Sequence, residues 1–345
     1  MQSQSFESEI THSRDGIRLH PPITPRENDR LLSSHKDPLW IGQELNYIFP
    51  REILDNVARG SVNDGLPFDE ANYGGPDMFG VEWVYDPAAR GSMEKLGPHL
   101  LNDISDWRTD LRFPDLSAID WDAVSAHCAK AVDPDRISAT MMYTGFFERL
   151  ISFVGFEDAA IAMIDPDQKD DVCDLFDRLC EYYDDLMAHL KQYAHIEYIM
   201  FHDDWGTQRS TFFSESACRE RILPYMKRVV ASAHKYGLFF NHHCCGKVES
   251  FVPLMVEAGS DAWDGQPIND LWALYHQYGD RLNINMNIKN LTVDRETAER
   301  WADEFLSKLE PGKQMIYRDS CMNDTLREVM YCKSRAYFAA RGQQD

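Results

Sequence analysis

Short strand-like runs alternate with amphipathic helical patterns from about residue 136 onward, and this alternation constrains the fold more than any other feature. The runs are rich in β-branched and aromatic residues and are short enough to be strands. They occupy residues 136–143, 196–202, 238–243, 260–263, 282–287 and 314–318.

Helical patterns separate the predicted strands. Helices are predicted at 168–193, 247–258 and 294–309, and Gly259 is placed to end the second of them. Strands that recur with a helix between them are typical of parallel βα units. Because no glycine-rich phosphate-binding turn follows an early strand, we expect a closed (β/α)8 TIM barrel rather than an open dinucleotide-binding sheet.

Two segments stand apart from this pattern. Residues 1–50 are polar and rich in proline, which predicts an N-terminal arm that wraps the body without forming a core element; a partly disordered tail is the alternative. Residues 51–345 are expected to form the catalytic domain. Within it, residues 77–114 mix glycine and proline with aromatic side chains, which predicts a lid-like insertion.

The charge balance excludes several classes of partner. The chain has 57 Asp and Glu against 35 Lys and Arg, for a net charge of −22, and it has no basic run. Binding to nucleic acid or to an anionic membrane surface is therefore not expected.

The start of the chain lacks a signal-peptide pattern and no apolar stretch is long enough to cross a bilayer, so a cytoplasmic location is expected. The eight scattered cysteines are expected to be reduced thiols.

Groups with metal-binding and acid–base chemistry finish the predicted strands, where a barrel places its active site. They are His202, Asp203 and Asp204; His242, His243, Cys244 and Cys245; Asp264 and Gln266; and Asp319 and Cys321. Thiolates combined with an imidazole favour Zn²⁺, and three protein ligands with an open fourth position are typical of a catalytic site. We predict His243, Cys245 and Cys321 as the ligands, and inert buried cysteines are the alternative.

Several residues near the predicted ligands are also candidates for the site. Asp203 and Asp204 either orient a substrate or tune a proton donor, or they cap the next helix or bind backbone amides. One of them is also a candidate fourth ligand. His202, His242 and Cys244 alternate with the predicted ligands and are expected to face away. Tyr143 and Phe147 are predicted to line an apolar substrate pocket, although such aromatic residues often belong to the core.

Several segments together resemble the uroporphyrinogen decarboxylase superfamily from about residue 24 to the end. They are TPREN (24–28), FGVEW (79–83), HDDWGTQRS (202–210), residues 214–227, AHKYG (233–237), HCCGKV (243–248) and DGQP (264–267). The arginine-rich substrate motif of the decarboxylases proper has no counterpart at 40–55. The cobamide-dependent methyltransferase branch has a zinc site of His-x-Cys plus a C-terminal Cys, which corresponds to His243, Cys245 and Cys321.

The resemblance implies a zinc enzyme that moves a methyl group between a small substrate and a corrinoid (cobalamin-type) cofactor. The Asp-x-His-x-x-Gly motif of corrinoid-binding domains is absent, so the corrinoid is expected on a separate partner protein. The aromatic residues at 79–107, with Tyr143 and Phe147, favour a methoxylated aromatic donor and thus O-demethylation. In that reaction Asp203 and Asp204 would orient the substrate or protonate the leaving phenolate, and Gln266 would line the pocket.

Other functions remain open at this point. The same site would serve a methylcobalamin:thiol (coenzyme M-type) methyltransferase, in which zinc binds the thiol. A metal-free decarboxylase is the second alternative, and a non-catalytic scaffold is the third. The oligomeric state is also open, with a homodimer as one arrangement.

Overall fold

The computed structural model describes residues 6–63, 73–87, 91–286, 292–317 and 322–341. They form a mixed α/β fold that divides into two compact units. The first unit contains Met1–Asn46, Asp133–Ile137 and Asp261–Asp345, and the second contains Tyr47–Val132 and Ser138–Ser260. The boundary expected at residue 50, between an arm and a catalytic domain, stays a prediction.

The described residues form twelve strands, which are numbered in chain order. They are β1 (Ile10–Ser13), β2 (Gly16–Leu19), β3 (Asn46–Tyr47), β4 (Gly75–Pro76), β5 (Glu82–Asp86), β6 (Gly91–Glu94), β7 (Ser138–Met142), β8 (Tyr198–His202), β9 (Phe239–Cys244), β10 (Ala262–Gly265), β11 (Asn283–Asn285) and β12 (Met315–Ile316).

Thirteen α-helices also lie within the described ranges. They are α1 (Pro25–Ser33), α2 (Leu54–Ala58), α3 (Trp107–Asp110), α4 (Trp121–Ala131), α5 (Phe146–Val154), α6 (Phe156–Ala162), α7 (Lys169–Tyr193), α8 (Glu215–Arg221), α9 (Leu223–Lys235), α10 (Val252–Ala258), α11 (Leu271–Tyr278), α12 (Arg295–Ser307) and α13 (Asp324–Arg341). None of these helices is both long enough and apolar enough to cross a bilayer.

Parallel strands form the centre of the second unit. β8 lies between β7 and β9 and pairs with both in parallel, with Ala139 opposite Tyr198 and Tyr198 opposite Phe239. The amide of Ile48, just after β3, donates to the carbonyl of Ala139. The strands predicted at 136–143, 196–202 and 238–243 are thus confirmed with small differences at their ends.

Helix α7 shows why the helical pattern was visible in the sequence. Its buried side chains recur every three or four residues, as they must on one face of an α-helix. Leu175, Leu179, Leu186 and Leu190 are among them, and each is at most 5% exposed. The helix extends over 25 residues, in agreement with the predicted span 168–193.

Part of the predicted insertion is built into the second unit. β4, β5 and β6 form a small antiparallel sheet. The carboxylate of Asp77, which follows β4, accepts a hydrogen bond from Nε1 of Trp83 and lies 2.5 Å from Nη1 of Arg149 on α5. Both charged side chains are almost fully buried, so this ion pair anchors the sheet to α5.

The first unit contains the remaining parallel strands. β10 pairs with β11 and β11 with β12, with Ala262 opposite Asn283 and Ile284 opposite Met315. The predicted helix 294–309 is α12, which begins after Asp294 because the carboxylate of Asp294 accepts from the amide of Thr297.

Residues 6–46 contain more regular structure than an extended arm. β1 and β2 form a hairpin, and α1 begins with a capping box between Thr24 and Glu27. Pro25 stands in the first turn of α1, where proline is tolerated because the amide there has no helical partner. Ile10 and Trp40 are buried with Tyr331, so this segment contributes to the core of the first unit.

The succession of strands and helices is that of TIM-like folds. Seven strands of the described residues belong to the parallel series, namely β3 and β7 to β9 in one group and β10 to β12 in the other. The eight strands of a complete (β/α)8 barrel are therefore not all present among the residues described.

Gly259 provides a test of the local structure. It ends α10 with a φ of 85° and a ψ of 21°, a left-handed conformation that costs little for glycine alone. Gly259→Ala should lower the free energy of unfolding by about 1 kcal/mol in urea titrations. Gly91→Ala is the matched control, because an added Cβ meets nothing within 4 Å and its φ is not positive. Equal destabilisation by both variants would contradict the assignment.

Candidate metal centre

The ends of β8 and β9 place two imidazoles side by side. His202 is the direct register partner of His243, so both side chains leave the sheet on the same face. Their rings are stacked, with centroids 4.9 Å apart and an angle of 17° between the planes.

Two more ligand groups complete the cluster. His202, Asp204, His243 and Cys245 each offer one ligand atom, and these four atoms lie within 4.8 Å of one another. Sγ of Cys245 is 3.5 Å from Nε2 of His243, and Oδ1 of Asp204 is 3.7 Å from Nε2 of His202. In tetrahedral zinc sites with bonds of about 2.0 to 2.3 Å, ligand atoms are about 3.5 Å apart. The donor set and its spacing therefore fit Zn²⁺.

Electrostatics prepares the thiol for metal binding. Burial alone would raise the pKa of Cys245, but hydrogen bonds with His202 and His243 outweigh it and lower the pKa of this thiol. The thiolate is the form that binds metal. Burial opposes charge on His202 too, yet the carboxylate of Glu148 holds the pKa of that imidazole well above its usual value.

Glycines let the loops after β8 and β9 touch. Gly246 has a φ of 90°, and a Cβ there would lie 2.4 Å from the carbonyl oxygen of Gly206. The amide of Lys247 donates to the carbonyl of Thr207, and the amide of Cys245 donates to Oδ1 of Asp204 at 2.5 Å. The close approach of these two loops brings Asp204 to Cys245.

Asp203 has a different place from Asp204. Its carboxylate is fully buried and accepts from the amides of Phe146, Phe147 and Glu148, at 2.9 to 3.2 Å, and from Nε1 of Trp205 at 2.8 Å. This is the binding of backbone amides that the sequence left open, and the amides belong to the start of α5, which precedes Asp203 in the chain. Burial, together with the negative charge of Glu148, raises the pKa of Asp203 to about 7.

Alternate residues of β9 face the other way, as predicted. His242 is fully buried with its ring centroid 4.4 Å from that of Trp205, and burial lowers its pKa to about 3. Sγ of Cys244 accepts from the amide of Trp205 at 3.3 Å. His202 was also expected to face away from the predicted ligands, and this prediction was wrong. Alternation along β9 does not determine how β8 is aligned with it.

The predicted substrate residues have separate surroundings. Tyr143 follows β7; its carbonyl lies 2.9 Å from Nδ1 of His202, and its half-buried ring is 6.0 Å from that of Phe49. Phe147 is fully buried and packs against Phe213 at 5.1 Å. Contact of Tyr143 and Phe147 with a substrate stays a prediction.

Three other residues predicted for the site are not among the four members of the cluster. Gln266 follows β10 in the first unit, where its carbonyl accepts from the amide of Asn269. Cys321 and Asp319 lie outside the described residues, so the ligand role of Cys321 stays a prediction.

Sequence reasoning missed His202 as a cluster member and Glu148 as its partner. The available signal was that two predicted neighbouring strands each end in histidine, since parallel neighbours bring their carboxyl ends to one edge of a sheet. Glu148 offered no signal, because its approach to His202 depends on how α5 leaves β7.

Comparison with known proteins gives a fold but no family. No family model and no curated protein matches the chain. A methyltransferase from Methanosarcina mazei matches over 93% of this chain and 99% of its own, with a TM-score of 0.59 and 14% identity, which shows a shared fold. A xylanase from Thermoanaerobacterium saccharolyticum covers 63% of this chain and 82% of its own, with 10% identity and a TM-score of 0.35.

The cluster predicts different effects for two neighbouring side chains. His202→Ala should weaken zinc binding by more than about 100-fold, because it removes a ligand rather than the partner of a ligand. Cys244→Ala should keep zinc, since this thiol faces away from the cluster. Competition with a chromophoric chelator measures both affinities. Zinc affinity unchanged by His202→Ala would exclude His202 as a ligand.

Asp203 predicts a pH dependence of stability. Its pKa is raised on folding, so folding favours the neutral carboxyl. This stabilisation is complete below about pH 4, where the unfolded carboxyl is also protonated, and it is lost as the pH rises from about 4 to about 7. Relative to Asp203→Asn, the metal-free wild type should lose up to about 1.4 kcal/mol of unfolding free energy per pH unit in that window. Urea titrations of both proteins at pH 5 and pH 8 measure the change, and a pH-independent difference would contradict it.

Proposed function

We propose that the protein is a zinc-dependent methyltransferase that moves a methyl group between a small substrate and a corrinoid carried by a partner protein. The observation that carries this proposal is the cluster of His202, Asp204, His243 and Cys245 at the ends of two parallel strands. The shared fold with a protein described as a methyltransferase, over nearly the whole of both chains, supports this class of reaction.

The metal would be held by His243 and Cys245, with Cys321, His202 and Asp204 as candidates for the remaining positions. Bound zinc would supply Lewis acidity, which either activates a thiol or polarises the oxygen of a methyl donor. The lowered pKa of Cys245 favours its thiolate, which is the form that binds metal.

The two carboxylates would have separate roles in this reaction. Asp204 is about one-quarter exposed at the cluster, so it is placed to orient a substrate or to donate a proton to a leaving oxygen. Asp203 is enclosed by four hydrogen-bond donors and would act by holding the start of α5. A direct exchange of protons with substrate is therefore assigned to Asp204 rather than to Asp203.

A methoxylated aromatic is the proposed methyl donor, which makes the reaction an O-demethylation. Tyr143 and Phe49 support this choice, because their rings lie 6.0 Å apart and the backbone carbonyl of Tyr143 contacts His202. The aromatic residues of the insertion support it less, since Phe79 and Trp83 are buried in the protein. A thiol acceptor of the coenzyme M type remains the alternative for the same site.

Zinc content tests the first part of the proposal. Purified wild type should contain about one zinc per chain, and His243→Ala, Cys245→Ala and Cys321→Ala should each lose it while remaining folded. Elemental analysis measures the zinc content and circular dichroism measures the folding of each variant. Cys332→Ala is the matched control, because it removes a thiol of α13 that is not a predicted ligand. Wild type without zinc would favour a metal-free decarboxylase, and retention by all three variants would reject the site.

Methyl transfer separates the two zinc chemistries. With cob(I)alamin and a panel of methoxylated aromatics, formation of methylcobalamin should be seen in the absorption spectrum. With methylcobalamin and thiols, loss of the methyl group would instead indicate the thiol reaction. His243→Ala should abolish either activity, because it removes a ligand of the metal.

A further inference from the structure

Glu148 contacts His202 on the side opposite the ligand cluster. Its Oε2 lies 2.6 Å from Nδ1 of His202, and the carbonyl oxygen of Tyr143 lies 2.9 Å from the same nitrogen. The carbonyl oxygen of Tyr143 can only accept a hydrogen bond, and so can Oε2 of an ionised Glu148. Nδ1 must therefore carry a proton. In the neutral imidazole, which is the form that binds a metal, the lone pair is then on the other ring nitrogen, Nε2, and Nε2 lies 3.7 Å from Asp204.

We propose that Glu148 is a positioning residue that fixes the tautomer and the ring orientation of His202, so that Nε2 faces the metal. This inference rests on the proposed zinc site. A carboxylate that accepts from the distal nitrogen of a ligating imidazole also makes that ligand more basic, and its loss typically costs about 10- to 100-fold in metal affinity.

The position of Glu148 is itself set by the end of β8. Its amide donates to Oδ1 of Asp203, and the two preceding amides donate to Oδ2. The amide of Gly145 donates to the carbonyl of His202 at 2.7 Å. A Cβ on Gly145 would lie 2.5 Å from Cβ of Asp203, so only glycine permits this approach. The first turn of α5 is therefore attached to the residues that carry the cluster.

Burial makes the contact specific. The side chains of His202 and Glu148 are 13% and 18% exposed, which limits competition from water for the hydrogen bond between them. Glu148 also stands in the first turn of α5, where a negative charge is stabilised by the helix dipole.

The experiment compares zinc affinities by chelator competition in Glu148→Ala and Glu148→Gln. Glu148→Ala should bind zinc about 10- to 100-fold more weakly than wild type. Glu148→Gln should lose less, because the amide oxygen still accepts from Nδ1 without the charge. Glu157→Gln removes the same charge from an exposed residue of α6 and should leave the affinity unchanged.

A His202→Ala background separates positioning from a general structural effect. If Glu148 acts through His202, then Glu148→Ala should cause no further loss of affinity there, whereas a structural defect would cause the same loss in both backgrounds. The absorption of the Co²⁺-loaded protein should also change in Glu148→Ala, because it reports the geometry of the ligands.

Each outcome supports or overturns the inference. Weaker binding that disappears in the His202→Ala background supports it. Wild-type affinity in Glu148→Ala, or an equal loss in both backgrounds, overturns it and leaves the proposed function intact. If wild type itself binds no zinc, both the inference and the proposed function are overturned.

Discussion

The parallel pairing of β8 with β9 is the interaction on which the candidate site depends. The register that places His202 opposite His243 is set along five residues of each strand, mostly by buried apolar side chains such as Phe201 and Phe240. A slip by one residue would turn His202 toward the opposite face and separate the two imidazoles. The chemistry at the strand ends is therefore a consequence of packing in the strands below.

The buried carboxylate of Asp203 connects this sheet to the helix beside it. Burying a charge is costly, but four donors point at the carboxylate, and three of them are amides that the start of a helix leaves without partners. Asp203 and Asp204 are adjacent but have different roles. Asp203 binds the start of α5, and Asp204 is a member of the cluster.

Helix α5 extends the same connection in the other direction. Glu148 contacts His202, while the next residue, Arg149, is 1% exposed and pairs with Asp77 and Asp55. Removing one partner of such a buried pair leaves an uncompensated charge, which is strongly destabilising. The first turns of α5 therefore link the small sheet β4 to β6 with the residues around the cluster, all within the second unit.

Much of the secondary structure and part of the candidate site could be predicted from the sequence, because they depend on local patterns. Helix α7 and the strands β7 to β9 have periodic burial, so the hydrophobic pattern predicted them, and the alternation along β9 predicted that His243 and Cys245 share one face. Glycine at 259 predicted the end of α10 because its backbone conformation is a local property. Only the tertiary structure decided that His202 joins the cluster, that Asp203 caps α5 and that Glu148 reaches His202. Those facts depend on the register between strands and on the path of a helix, which are set by contacts between residues more than 40 positions apart in the chain.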